Sequence, residues 1–124
     1  MKFSLSTSFA KLTLFTLLAV VLLTAGGRLV ALHAAGADCA SWPLCLPGNI
    51  SGLEQMLHRL SAGFASILML ALLFHAWRTQ RDHRLLLPLT TITVTLFFAQ
   101  AYVGAMLVTR GFPVDLQVMH SLTA

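Results

Sequence analysis

Uncharged, mostly apolar residues fall into four blocks along the chain. The first, Leu12 to Gly27, is bounded by Lys11 and Arg28. The second, Leu60 to Trp77, ends at Arg78, and the third runs from Leu85 to Thr109. Each of these, with a little helix on either side, approaches the roughly 20 residues that cross a ~30 Å hydrocarbon core. Pro88 lies near the start of the third block, where a missing N–H costs a helix least. A fourth block starts near Val114 and ends with the chain at Ala124, and eleven helical residues reach only about 16 Å. The pattern predicts an all-α fold: one integral membrane four-helix bundle over residues 1–124, its fourth helix incomplete. The expected spans are about 10–32, 55–77, 85–109 and 114–124, with a loop over about 33–53.

Composition supports this reading. Hydrophobic residues make up 57 % of the 124 and charged residues 10 %, where an ordinary soluble domain has about 25 % charged. A soluble fold so poor in charge has too little polar surface, whereas a bilayer accepts apolar side chains as its lining. The net charge of +4 comes from single Lys and Arg residues scattered between apolar runs. With no basic stripe or aromatic-interleaved patch, nucleic acid is excluded as a partner.

The sparse basic residues set topology instead. Lys2, Lys11, Arg78, Arg81 and Arg84 fall on one side, and Arg28, Arg59 and Arg110 on the other. The positive-inside rule then puts the N-terminus and the link between spans two and three in the cytoplasm. The 33–53 loop and the turn Arg110-Gly111-Phe112-Pro113 face outside, and the expected location is the plasma membrane. A cleaved signal peptide is the rival for the first span, with small residues at Ala34, Ala35 and Ala37. Lys11 and the two spans that follow argue against it.

The outer loop holds both cysteines, in Cys39-Ala-Ser-Trp-Pro-Leu-Cys45. A close pair in an oxidising compartment becomes a disulfide, and closing seven residues stabilises the loop by roughly 2 kcal/mol. Pro43 and Pro47 stiffen it, and Trp42 suits a membrane interface. Two readings stay open: a structural staple, or a redox-active pair whose reduction gates activity. Zinc is disfavoured, since the spacing is wrong for a finger and only His33 is near in sequence.

The five histidines are not equivalent. His75 and His83 flank the basic link, and His33 lies in the outer loop with no evident partner. His58 and His120 lie near the outer ends of spans two and four, which meet on one side of an up-down-up-down bundle. At 100° per residue, Ser61, Ala62, Ala65 and Met69 share the His58 side of its helix, and small residues there leave room for a flat ring. Gln100 and Gly104 form a second small, polar-tipped face on span three. Close helix packing explains small residues equally well. Paired ligation of a haem or a metal is the sharper reading.

Several segments resemble the haem A synthase family. Gly27-Arg-Leu-Val30 and Gly36-Ala-Asp-Cys39-Ala-Ser-Trp42-Pro43-Leu-Cys45 resemble its first outer loop. His58-Arg59-Leu-Ser-Ala62 resembles the opening of its second helix, Gln100-Ala-Tyr-Val-Gly104 its third, and His120-Ser-Leu-Thr-Ala124 its fourth-helix histidine. The resemblance implies eight membrane helices in two similar four-helix halves, or a four-helix form that must associate. It also implies oxidation of a methyl group of haem O to the formyl group of haem A, for cytochrome oxidase assembly. On this basis the chain is the N-terminal, substrate-haem half, cut inside its fourth helix and inactive alone. His58 and His120 would be the haem-iron pair, and haem b is expected in the missing half. The usual carboxylate three residues before the first histidine is Gln55 here, with Glu54 one residue earlier. Glu54 is therefore the expected catalytic carboxylate, and the usual Arg after Gly-x-x-Val is Ala31.

The partners implied are the haem substrate, membrane lipid, and a second half, a homo-oligomer or a fused or separate prenyltransferase. Two other functions remain open: a non-catalytic haem-binding or assembly protein, and a membrane thiol–disulfide module acting through Cys39 and Cys45.

Overall fold

The computed structural model describes residues 7–33 and 38–124; Lys2, Ala34, Ala35, Gly36 and Ala37 lie outside them. Among the described residues there are four helices and no strand: α1 Thr7–Leu32, α2 Ile50–Thr79, α3 Leu86–Thr109 and α4 Val114–Thr123. Each packs against the next in sequence. The first three are long and apolar enough to cross a membrane. Their outer faces are lined with exposed leucines and phenylalanines such as Leu22, Leu70 and Phe74, as expected where lipid is the solvent.

The boundaries follow local chemistry. Helix α2 starts at Ile50, about five residues before the expected span, because Asn49 caps it. The Asn49 Oδ1 accepts from Gly52 N at 2.8 Å, satisfying one of the N–H groups a helix leaves open. Pro88 falls in the first turn of α3, where no partner is lost. The end of α3 is a Schellman motif: Phe112 N donates to Leu107 O at 2.9 Å and Gly111 N to Val108 O at 3.2 Å. Gly111 takes the left-handed conformation (φ 73°) that such an ending needs. Phe112 is also left-handed (φ 61°), and Pro113 then opens α4 in extended backbone. The chain reverses within four residues and brings α4 back along α3.

The tightest packing is at the end that holds the α2–α3 link. There Phe9 meets Leu72 and Ala76, with Leu12, Leu86 and Leu87 around them. His75, half-buried, also belongs to this end. Its ring lies 5.9 Å from that of Phe9, and its Nδ1 is 2.9 Å from Thr79 Oγ1. Arg78 and Arg81 lie over Phe74 and Trp77 at 4.9 and 5.3 Å, a cation–π geometry suited to a membrane border. The opposite end is looser. It carries the cysteine loop, the start of α2, and both ends of the α3–α4 turn.

Candidate functional site

His58 sits in the middle of the buried stripe of α2, which continues through Ala65, Met69, Leu72 and Ala76. Of the four residues expected to share its side, Ala65 and Met69 are buried, Ala62 is half-buried and Ser61 is exposed. The imidazole rests on α1 at Gly27. A Cβ at that position would stand 2.8 Å from His58 Cε1, so only glycine lets the ring lie so close to the helix. The Leu23 carbonyl lies alongside, yet Nδ1 is buried with no hydrogen bond. A buried imidazole nitrogen without a partner is uncommon in a finished protein interior.

His120 is arranged in parallel fashion on α4. A Cβ at Gly104 would stand 3.0 Å from its Cε1, so it too lies against a glycine of a neighbouring helix. Unlike His58 it has polar company: Gln100 Nε2 is 2.7 Å from the His120 carbonyl and 3.1 Å from Nδ1. Thr123 Oγ1 lies 2.7 Å from Gln100 Oε1. The backbone carbonyl fixes which way the amide points, so Nδ1 accepts from Gln100 and a neutral ring carries its proton on Nε2. By helical rise, Gly27, His58, Gln100 and His120 all lie about 8–14 Å in from the ends of their helices. They therefore all lie towards the looser end of the bundle.

A cleft of about 160 Å³ opens beside His58 between α1 and α2, walled by Leu22, Gly26, Leu57 and Glu54. Glu54, one turn before His58, points to this α1 side. Its Oε2 lies 2.8 Å from His33 Nδ1, which gives His33 the partner that sequence alone did not supply. Gln55 turns to the other flank of His58, where it is buried with Oε1 unbonded. Cys39 and Cys45 are joined in a disulfide, Cα to Cα 5.6 Å, and Cys39 is 1 % exposed. Arg59 ties this loop to α2. Its guanidinium donates to the carbonyls of Cys39 and Ser41 and reaches that of Pro43 at 3.5 Å. The side chain next to His58 thus holds the loop against the start of α2.

Among the described residues no three His, Cys, Asp or Glu side chains gather as a cage for a bare metal ion. A haem makes a smaller demand, because its macrocycle supplies four ligands and the protein only one or two. Two imidazoles from different helices, one with an orphaned nitrogen, fit that demand.

Residues 2–124 match the family described as "Cytochrome oxidase assembly protein". The chain belongs to the COX15-CtaA family. Among its relatives are proteins named "Heme A synthase". One, from Geobacillus thermodenitrificans, is 30 % identical over 112 residues, covering 85 % of this chain and 35 % of the relative. Another, from Bacillus cereus (strain AH187), is 33 % identical over 107 residues, covering 81 % of this chain and 34 % of the relative. The chain therefore spans about a third of the length of these relatives. Family membership agrees with the segments that carried the resemblance. What the segments did not disclose is the role of Gly27 against His58, the Arg59 clamp and the His33–Glu54 pair. For Gly27 a signal existed in the glycine of the Gly-x-x-Val element, and for Arg59 in the His58-Arg59 element; for the His33–Glu54 pair there was none.

Proposed function

We propose that this chain is the substrate-haem module of a haem A synthase, an oxidoreductase of haem A biosynthesis. The observation that carries the proposal is the pair of imidazoles, His58 and His120, on two helices towards the same end of the bundle, each against a glycine. In this reading His58 and His120 hold haem O, whose methyl group is oxidised to the formyl group of haem A. A second module, in the same protein or an associated one, holds haem b. The cysteine loop faces outside and the N-terminus lies in the cytoplasm. The module draws its substrate from a prenyltransferase, fused or separate.

Bound haem O would supply the oxidisable methyl group and an iron centre with which electrons are exchanged. The residues of the chain have distinct tasks. His58, whose Nδ1 makes no hydrogen bond, has a ring that no polar partner holds in place, so it can turn to present its other nitrogen to iron. A slight turn lets Nδ1 donate to the Leu23 carbonyl and leaves the Nε2 lone pair for iron. His120 becomes available when the Gln100 amide releases its Nδ1, which allows one-histidine binding as substrate enters and leaves. Glu54 lines the cleft beside His58 and can accept a proton as C–H bonds are oxidised. Gln55 has no basic atom for that task. The exposed apolar walls of α1 and α2 keep the site in a water-poor setting, where such polar groups act strongly.

The catalytic reading is favoured over non-catalytic haem binding by the carboxylate in the cleft. The thiol–disulfide reading has less support: Cys39 is buried, only Cys45 offers a partly exposed sulfur to an attacking thiolate, and the disulfide with the Arg59 contacts reads as a staple of the loop. The test compares Glu54→Gln with Gln55→Ala in the intact membrane protein, following haem A by chromatography. Glu54→Gln is expected to lose haem A formation while retaining bound haem, and Gln55→Ala to keep both. Normal haem A in the Glu54→Gln protein would remove the carboxylate from the reaction.

A further inference from the structure

We propose that His33 is a positioning residue for Glu54, holding its carboxylate on the cleft beside His58. The inference rests on the catalytic reading of Glu54 given above. His33 directly follows α1, and Glu54 stands in the second turn of α2, so the pair joins the two helices that wall the cleft. The imidazole Nδ1–H donates to Oε2 at 2.8 Å. Among the described residues, Glu54 has no other hydrogen-bond partner, so Oε1 is uncommitted. His33 is 55 % exposed and Glu54 29 %, which places the histidine on the rim and the carboxylate further in. A pair so exposed adds little to the stability of the fold, and the disulfide and the Arg59 clamp already secure the loop.

What the pair does supply is direction. A glutamate has three side-chain torsions and near a helix start can sweep from solvent to the helix flank. Fixing one oxygen from the rim removes most of that freedom and leaves the other oxygen over the cleft. Glu54 also stands four residues before His58, so its Cβ is about 40° round the helix from that of the histidine. A carboxylate so placed needs an outside partner to stay on the α1 side, and His33 is that partner. Catalysis is sensitive to such placement, since an error of about 1 Å can cost a hundredfold in rate.

The experiment uses the intact membrane protein with His33→Leu, His33→Asn and Glu54→Gln. Asparagine carries an amide N–H close to where Nδ1–H stands, so it restores the donor without the ring. His33→Leu is expected to lower kcat for haem A formation by about tenfold to a hundredfold, with KM, bound haem and its absorption spectrum unchanged. His33→Asn is expected to recover most of the rate. A second readout is the midpoint potential of the bound haem, which a nearby carboxylate lowers by stabilising ferric iron. The potential should rise in His33→Leu towards the Glu54→Gln value and return in His33→Asn. Full rate in His33→Leu, equal loss in Leu and Asn, or loss of bound haem in His33→Leu would each overturn the assignment. Normal haem A in Glu54→Gln is a different result, which removes the underlying reading itself.

Discussion

Adding one methyl group at Gly27 should weaken haem binding sharply, because the space it would occupy is taken by the His58 ring. An alanine Cβ there would lie 2.8 Å from His58 Cε1, against the roughly 3.5 Å of an ordinary carbon contact. The ring must move by about 0.7 Å, or α1 and α2 must separate by as much. Overpacking of this kind typically costs about 1–3 kcal/mol. If the cost falls on ligation, haem affinity drops about fivefold to a hundredfold. Gly63→Ala is the control, since a Cβ there meets nothing within 4 Å. The assay is haem titration of the purified intact protein in detergent, followed by visible absorption. Gly27→Ala is expected to bind weakly with an altered spectrum, and Gly63→Ala to match the native protein. Affinity within twofold of native in Gly27→Ala, with an unchanged spectrum, would refute the idea that this glycine seats the ligand.

Two further predictions concern the cysteine loop. A membrane-impermeant maleimide should label Cys39 and Cys45 on intact cells only after reduction, and labelling confined to the cytoplasmic side would overturn the proposed orientation. Arg59→Leu removes charge-assisted hydrogen bonds to two loop carbonyls, worth about 1.5–3 kcal/mol each at most. Protease cleavage within residues 40–48 should therefore rise by about tenfold or more, and an unchanged cleavage rate would show that the disulfide alone orders the loop.

The sequence discloses those features that depend on local pattern. Three apolar blocks became α1, α2 and α3, because in a bilayer a helix long enough to cross needs only its own backbone bonds. The early start of α2 was less legible, since Ser51, Gly52, Glu54 and Gln55 dilute the apolar signal and the Asn49 cap decides the boundary. His58 and His120 were legible through their placement at helix ends and through the family resemblance. The pairing of His33 with Glu54, 21 residues apart, was not. Nor was the reach of Arg59 to carbonyls 16 to 20 residues earlier. Both depend on how the loop folds back over α2, which no periodicity encodes. Glu54 and Gln55 are adjacent in sequence, and only the packing of α1 separates a cleft-facing carboxylate from a buried amide.

The central claim is that His58 and His120 hold one haem iron. It is tested most directly by the haem content and visible spectrum of the intact membrane protein carrying His58→Ala and His120→Ala, singly and together. Each single variant should lose haem occupancy and change its spectrum, the double variant should lose nearly all haem at this site, and His75→Ala should match the native protein. Unchanged haem content and spectrum in the double variant would contradict the account.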